Sequence, residues 1–450
     1  MRHFIRLALG ASLLAACSSS SSDSGNDAGS GSPDSGGTTA EGGTTNDGGT
    51  TNDGATANDT GTTGDSSAPS EGGTSAAFRA IALPGNGERV TGVYCSDAHT
   101  CVVVTELFGD AGHIYSSDGT TITATLVTGD DAYAAMFGTL GSISFLGVSS
   151  VGGKVVARAI GAENAFVSAT GSVTSAASWT GIEGVTNTTD FGLNSQFGFG
   201  TNGTRWTLVS AGRIWEATSA PGPTTTWTNV YSPQAVPPIP ADIDAQRTSD
   251  PTLCDTDPTV SISPDLDQAT YVAADDSLIV APAGAVNQDG DDTAGVCISL
   301  DGGHTFHHAE FTGVALGAGP VGVTCTSSSH CVAYGGLKST ASSAYVYVST
   351  NASMGATSTW TKATTPTLPD DTQLRAVAFA PDGKTGWLVG STSANGSLLF
   401  TTTDGGATWA DATTTISALT QDNPLHSVYA LDATHVWIGG ENDTLVASGN

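Results

Sequence analysis

Residues 400–410 read F-T-T-T-D-G-G-A-T-W-A, and the frame inside them, Thr402-x-Asp404-x-Gly406-x-Thr408-Trp409, decides the fold. A short Thr-rich strand runs into Asp404, whose carboxylate can accept from nearby backbone N–H groups and fold an Asx-type turn. Gly405 and Gly406 supply the positive φ that such a turn requires. Thr408 and Trp409 then open a partner strand, with the indole placed to pack between neighbouring sheets. The same frame recurs at Ser299, Asp301, Gly303, Thr305 and Phe306. Loop-expanded copies end in Ser178-Trp179, Thr226-Trp227 and Thr359-Trp360, and a shortened one runs from Ser116 through Asp118 and Gly119 to Ile122. The intervals from Ile122 through Trp179, Trp227, Phe306, Trp360 and Trp409 are 57, 48, 79, 54 and 49 residues. Four-stranded propeller blades repeat at about 40–50 residues. The intervals therefore mark six blades, with an insertion in the longest.

This frame resembles the Asp-box, or BNR repeat, of β-propellers. A second unit accompanies it, an apolar hairpin seen as Gly92-Val93-Tyr94-Cys95 with Cys101-Val102 and again as Gly322-Val323-Thr324-Cys325 with Cys331-Val332. Residues 377–390 and 427–439 repeat the hairpin without cysteines, and residues 271–281 hold a degenerate copy. Short alternating runs at 345–349, 398–402 and 436–439 read as strands. Hairpin plus Asp-box is similar to the repeats of the photosystem II assembly-factor family and related secreted BNR-repeat proteins, over nearly all of residues 76–450. The resemblance implies an all-β propeller and says little about ligand. The last unit, 424–450, stops after three strands, while residues 78–83 form an orphan strand before the first hairpin. Placing 78–83 as the outer strand of the last blade closes the ring and gives seven blades, with six or eight as the alternatives.

The N-terminus reads as an export signal. Arg2 and Arg6 precede the apolar run 7–16, too short to span a bilayer as a helix. Leu14-Ala15-Ala16-Cys17 resembles a bacterial lipobox, which implies cleavage after residue 16 and lipidation of Cys17; an ordinary secretory signal with an incidental cysteine is the alternative. Ser18 after the cysteine is more similar to outer-membrane than to inner-membrane lipoproteins. Residues 18–75 hold nine acidic residues, no basic ones and no aromatic ring. Such a tract cannot bury enough apolar area to offset its ordering entropy, so 17–75 reads as a lipid-anchored, disordered linker with a reach of about 40 Å.

Six cysteines remain once Cys17 is set aside. Cys95 with Cys101 and Cys325 with Cys331 lie in matching contexts and read as disulfides across first hairpins, leaving Cys254 to pair with Cys297. Zinc ligation would need CxxC-like spacing and clustered histidines, and neither is present.

A sialidase-type glycosidase is the first catalytic candidate, because such enzymes also carry Asp-boxes. Arg79 in F-R-A-I superficially resembles one arginine of their carboxylate-binding triad, but Ala80 intervenes and no convincing triad with a Tyr/Glu pair can be assembled from the sequence. Asp118, Asp301 and Asp404 are read as turn residues, since a turn role explains the flanking glycines and catalysis does not. His99, His330 and His435 recur at one repeat position and so sit on different blades; His304, His307 and His308 read as a solvated strand end. The acidic loops around Asp289, Asp291 and Asp292 and around Asp250, Asp255 and Asp257 could hold Ca²⁺ through hard oxygens, although neither has EF-hand spacing and solvated loop charge is the plainer reading. Residues 76–450 carry 34 acidic and 11 basic residues, a formal balance of −23. Nucleic acid is thereby a poor partner. The sequence reads as an envelope lipoprotein, anchored to the outer membrane, whose propeller binds or scaffolds an exported protein or polysaccharide without cofactor or catalysis. A sialidase-like glycoside hydrolase is the alternative. The long interval before Phe306, residues 232–267 and 284–295, is the expected functional surface.

Overall fold

The computed structural model describes residues 77–85, 87–107, 111–131, 143–160, 166–169, 171–182, 197–210, 213–231, 254, 262–266, 270–285, 294–314, 320–335, 344–369, 371–394 and 396–449. The export signal 1–16, Cys17, the linker, the two acidic loops and most of residues 232–267 lie outside the described residues.

The chain is an all-β propeller. Its described strands fall into seven sheets, built in sequence order as antiparallel ladders. The first runs Arg89–Asp97, Thr100–Glu106, His113–Ser117, Ile122–Thr128, and the sixth runs Gln373–Phe379, Gly386–Ser391, Ser397–Thr402, Ala410–Asp411. In the last sheet, Leu425–Ala430, Val436–Gly440 and Leu445–Ala447 are joined by Arg79–Ala80 from the start of the domain, with Arg79 opposite Ala447. The ladder at this edge is shorter than residues 78–83, because the chain turns at Pro84 and Gly85 toward the next strand. One further hydrogen bond, from Ile81 N–H to the Leu445 carbonyl at 2.8 Å, extends it.

Second strands such as Cys331–Gly335, Gly386–Ser391 and Val436–Gly440 are buried along their whole length. A sheet clamped between two neighbours hides both faces, so these strands lack the apolar–polar alternation of a half-solvated strand. Apolar clusters lie between successive sheets: Val102, Val104 and Ile114 of the first meet Phe145, Val155 and Ala157 of the second. The series closes on itself where Trp437, Leu445 and Ala447 of the last sheet pack on Val90, Val93 and Tyr115 of the first. Gly439 lies at that contact, where a Cβ would stand 2.4 Å from Val90 Cγ1.

Residues 262–264, expected within a loop, instead pair as Ile262–Pro264 with residues 283–285 and give the fourth sheet a fifth strand. Pro264 is compatible with this because the strand lies at a sheet edge and ends there. The Cys95–Cys101 and Cys325–Cys331 disulfides each join residues directly opposite in the first hairpin, with Cα atoms 4.0 and 3.9 Å apart. The Cys254–Cys297 disulfide ties the insertion to Gly295–Ser299 of the fourth sheet.

Five inner strands share an irregularity that residue types do not announce. The register shifts by one residue at Val90/Gly92, Phe145/Gly147, Pro320/Gly322, Leu374/Ala376 and Leu425/Ser427. Thr91, Leu146, Val321, Arg375 and His426 are thus β-bulge residues at equivalent places. A bulge bends its strand and re-aims one side chain.

Candidate functional site

The Asp turns are self-contained. Asp404 Oδ1 accepts from the Thr408 N–H at 2.9 Å and the Thr402 hydroxyl at 2.8 Å, while Oδ2 accepts from the Thr408 hydroxyl at 2.7 Å. Thr402 Oγ1 in turn accepts from the Gly406 N–H at 3.0 Å. Asp301 repeats the pattern with Ser299, His304 and Thr305 at 2.7 to 3.0 Å. Burial disfavours the charged form of both carboxylates, and the Thr408 or Thr305 hydroxyl with the turn N–H groups outweighs it, holding each below the usual carboxylate range. Asp118 is held low chiefly by the Thr120 hydroxyl and N–H. Gly303 and Gly406 have φ of 94° and 88°, and Phe306 and Trp409 are buried against the neighbouring sheet. The oxygens of these aspartates are engaged within their own turns. The loop-expanded copy that ends in Thr359-Trp360 has an asparagine in place of the aspartate. Asn351 Oδ1 accepts from the Ser349 hydroxyl at 3.1 Å and from the Thr359 N–H at 2.8 Å, across the helical excursion Ala352–Thr357.

The other candidates disperse. Arg79 occupies the outer strand of the last sheet and donates to the Gly119 carbonyl at 3.0 Å. Arg205 is clamped between Asp276 at 2.8 Å and Glu216 at 3.0 Å. His99, His330 and His435 bond to Asp118, Thr326 and Asp432 on separate sheets. Among the described residues no three His, Cys, Asp or Glu side chains form a metal-binding group. His308 departs from the solvated reading: its Nε2 is buried with no hydrogen-bond partner, and burial pulls its pKa down to about 4. Gly295, beside it, has no side chain to crowd that ring.

A Tyr–Glu pair does exist, though nothing in the sequence marks it. Tyr115 OH lies 3.0 Å from Glu88 Oε1, and His113 Nδ1 lies 2.7 Å from the same oxygen. Both members are almost wholly buried between sheets. Burial, reinforced by Glu88, pushes the phenol far above its usual pKa, and both side chains are closed off between the sheets.

The inner strands enclose a channel of about 540 Å³. Neighbouring inner strands run parallel around it: Ser427 Oγ donates to the Val90 carbonyl near the strand starts at 3.1 Å, and Tyr429 OH to the Cys95 carbonyl near their ends at 2.8 Å. Toward those ends the channel is lined by Tyr94, Tyr271, Phe379 and Tyr429, interleaved with Ser149, Thr324 and Thr326. These four rings are partly exposed, and Tyr94 meets Tyr429 edge-on at 5.8 Å. Its lining among the described residues is apolar, aromatic and hydroxylic. Such a wall can stack on rings and accept hydrogen bonds; it supplies neither a carboxylate pair nor an arginine triad.

No protein-family model matches the sequence, and no curated protein matches it. Solved structures share the fold. YCF48 from Cyanidioschyzon merolae is 13% identical with a TM-score of 0.52, covering 83% of this chain and 98% of that one. The GH74 enzyme of Niastella koreensis is 15% identical with a TM-score of 0.52, and the match covers 82% of this chain but 53% of the enzyme. The chain thus spans about half of that enzyme's length. At these identities the likeness shows the propeller fold.

Proposed function

We propose that the chain is a non-catalytic binding module: a propeller of seven blades, one per sheet, that takes an exported protein or a glycan at the aromatic mouth of its channel. The observation that carries this reading is the set of partly exposed rings, Tyr94, Tyr271, Phe379 and Tyr429, around that mouth. Rigid aromatic side chains give contact area at low entropic cost and dominate recognition surfaces. The Asp118, Asp301 and Asp404 turns are Asp-boxes with a structural role. Cys17 is the lipid anchor, residues 1–16 the signal, 17–75 the tether and 76–450 the propeller, which places the module at the bacterial envelope on an outer-membrane anchor. The lipobox-like residues 14–17 and the acidic, ring-free tract after them support that placement.

The test is capture from an envelope extract by the whole chain, compared with its Tyr271→Ser/Phe379→Ser variant. The expected outcome is loss of the captured protein or glycan with the all-β circular-dichroism signature kept, while the thermal midpoint falls because Phe379 and Tyr271 also pack on the core between sheets. Undiminished capture, or release of reducing sugar from polysaccharide by the purified protein, overturns the reading.

A further inference from the structure

The opposite end of the inner strands has different chemistry. There the bulge residues Arg375 and His426, from adjacent sheets, meet Arg89 at the start of a third inner strand. With Gln373, Ser393 and Glu441 they line a recess of about 280 Å³. Arg89 is fully matched: Nη1 lies 2.9 Å from Glu106 Oε2 and Nη2 lies 2.8 Å from Glu441 Oε1. The same Glu441 oxygen is 3.0 Å from His426 Nε2. Arg375 is not matched. Its guanidinium donates to the Gln373 side-chain oxygen, and its Nε is buried with no hydrogen-bond partner. Among the described residues no carboxylate pairs with it, in a chain of formal charge −30. Burial first, and then the Arg89 charge, disfavour its protonated form, with Glu441 offsetting part of this.

Arg375 is partly buried, and a guanidinium drawn partly out of water with one donor unmet favours an anion beside it. We infer that this recess is a binding site for a monocarboxylate group carried by a ligand. The planar fork of Arg375 matches a carboxylate, and the bulges turn Arg375 and His426 toward one place. Glu441 on the wall, and Asp371 accepting from Ser393 N–H at 2.9 Å, penalise a dianion such as phosphate. The site stands apart from the aromatic mouth, so either reading can fail without the other.

Sodium acetate is the probe, titrated into the purified whole chain at ionic strength held constant with sodium chloride. The thermal midpoint of the natural chain is expected to rise saturably, and at acetate tenfold above its Kd the folding equilibrium shifts about elevenfold. Inorganic phosphate at pH 8 is expected to give a smaller rise. Arg375→Gln abolishes the acetate response. Gln373→Glu supplies the missing carboxylate internally, so it raises the midpoint without acetate and removes the response. The inference is overturned if the natural chain shows no saturable rise, if Arg375→Gln retains it, or if Gln373→Glu lowers the midpoint and keeps the response.

Discussion

The three disulfides provide a graded experiment on the same fold. Cys254–Cys297 closes 43 residues, whereas Cys95–Cys101 and Cys325–Cys331 each close 6. In the chain-entropy account a cross-link stabilises by restricting the unfolded chain, by about 4 kcal/mol for the long loop and about 2 kcal/mol for a short one. Cys254, Cys297, Cys95 and Cys101 are all buried, so the cost of removing sulfur from its packing is similar for the two pairs and cancels in their comparison. Paired Cys→Ala variants are therefore expected to differ by about 1.8 kcal/mol, the loop-length contribution alone. Urea denaturation under oxidising conditions, followed by tryptophan fluorescence, measures the difference, and the Cys325/Cys331 pair should cost about the same as Cys95/Cys101. An equal or smaller cost for the Cys254/Cys297 pair would refute the reasoning. It would mean that the insertion is already restrained in the unfolded chain or that the bridge constrains little.

Three further outcomes follow from particular residues. Cys17→Ser should shift the protein from membrane pellets to the soluble fraction or leave its signal uncleaved, as fractionation and intact mass would show. Gly303→Ala should cost more than Gly406→Ala, by thermal unfolding, because a Cβ would stand 2.3 Å from Ile214 Cδ1 at Gly303 and 3.1 Å from Val332 Cγ2 at Gly406, both at positive φ. For His308 the folded pKa of about 4 lies below the ordinary 6.5, so below pH 6.5 the unfolded chain binds the extra proton. Stability attached to this group is intact above pH 6.5 and falls as pH drops toward 4, at about 1.4 kcal/mol per pH unit; His308→Gln should flatten that part of the profile.

What could be read from the sequence was local. Thr402, Asp404, Gly406 and Thr408 meet within one turn, and hairpin cysteines six residues apart face each other across a single ladder, so type and spacing suffice to mark them. The loop-expanded copy was legible at its Thr359-Trp360 end, but Asn351 as its turn residue was not, because an excursion of several residues separates the two and Asn replaces Asp. The Glu88–Tyr115 contact joins residues that only the assembled sheets bring together. Residues 262–264 carry a loop composition, and their pairing with residues 283–285 depends on where the fourth sheet leaves an edge open. The bulges were invisible for a simpler reason. Thr91, Leu146, Val321, Arg375 and His426 share no chemistry, and register is a property of two strands rather than of one.

That lack of shared chemistry has a consequence for how such a chain can diversify. Most inner-strand positions are committed to the ladder and to the packing of the next sheet, so substitution there disturbs the whole ring. The bulged position is relieved of its ladder partner while its backbone stays fixed by the residues on either side. Each of these five repeats therefore offers one interchangeable letter at an equivalent place in its inner strand, here Thr, Leu, Val, Arg and His. Mutation can rewrite that short word one blade at a time, and a scaffold of repeated parts acquires an asymmetric interior without altering its architecture.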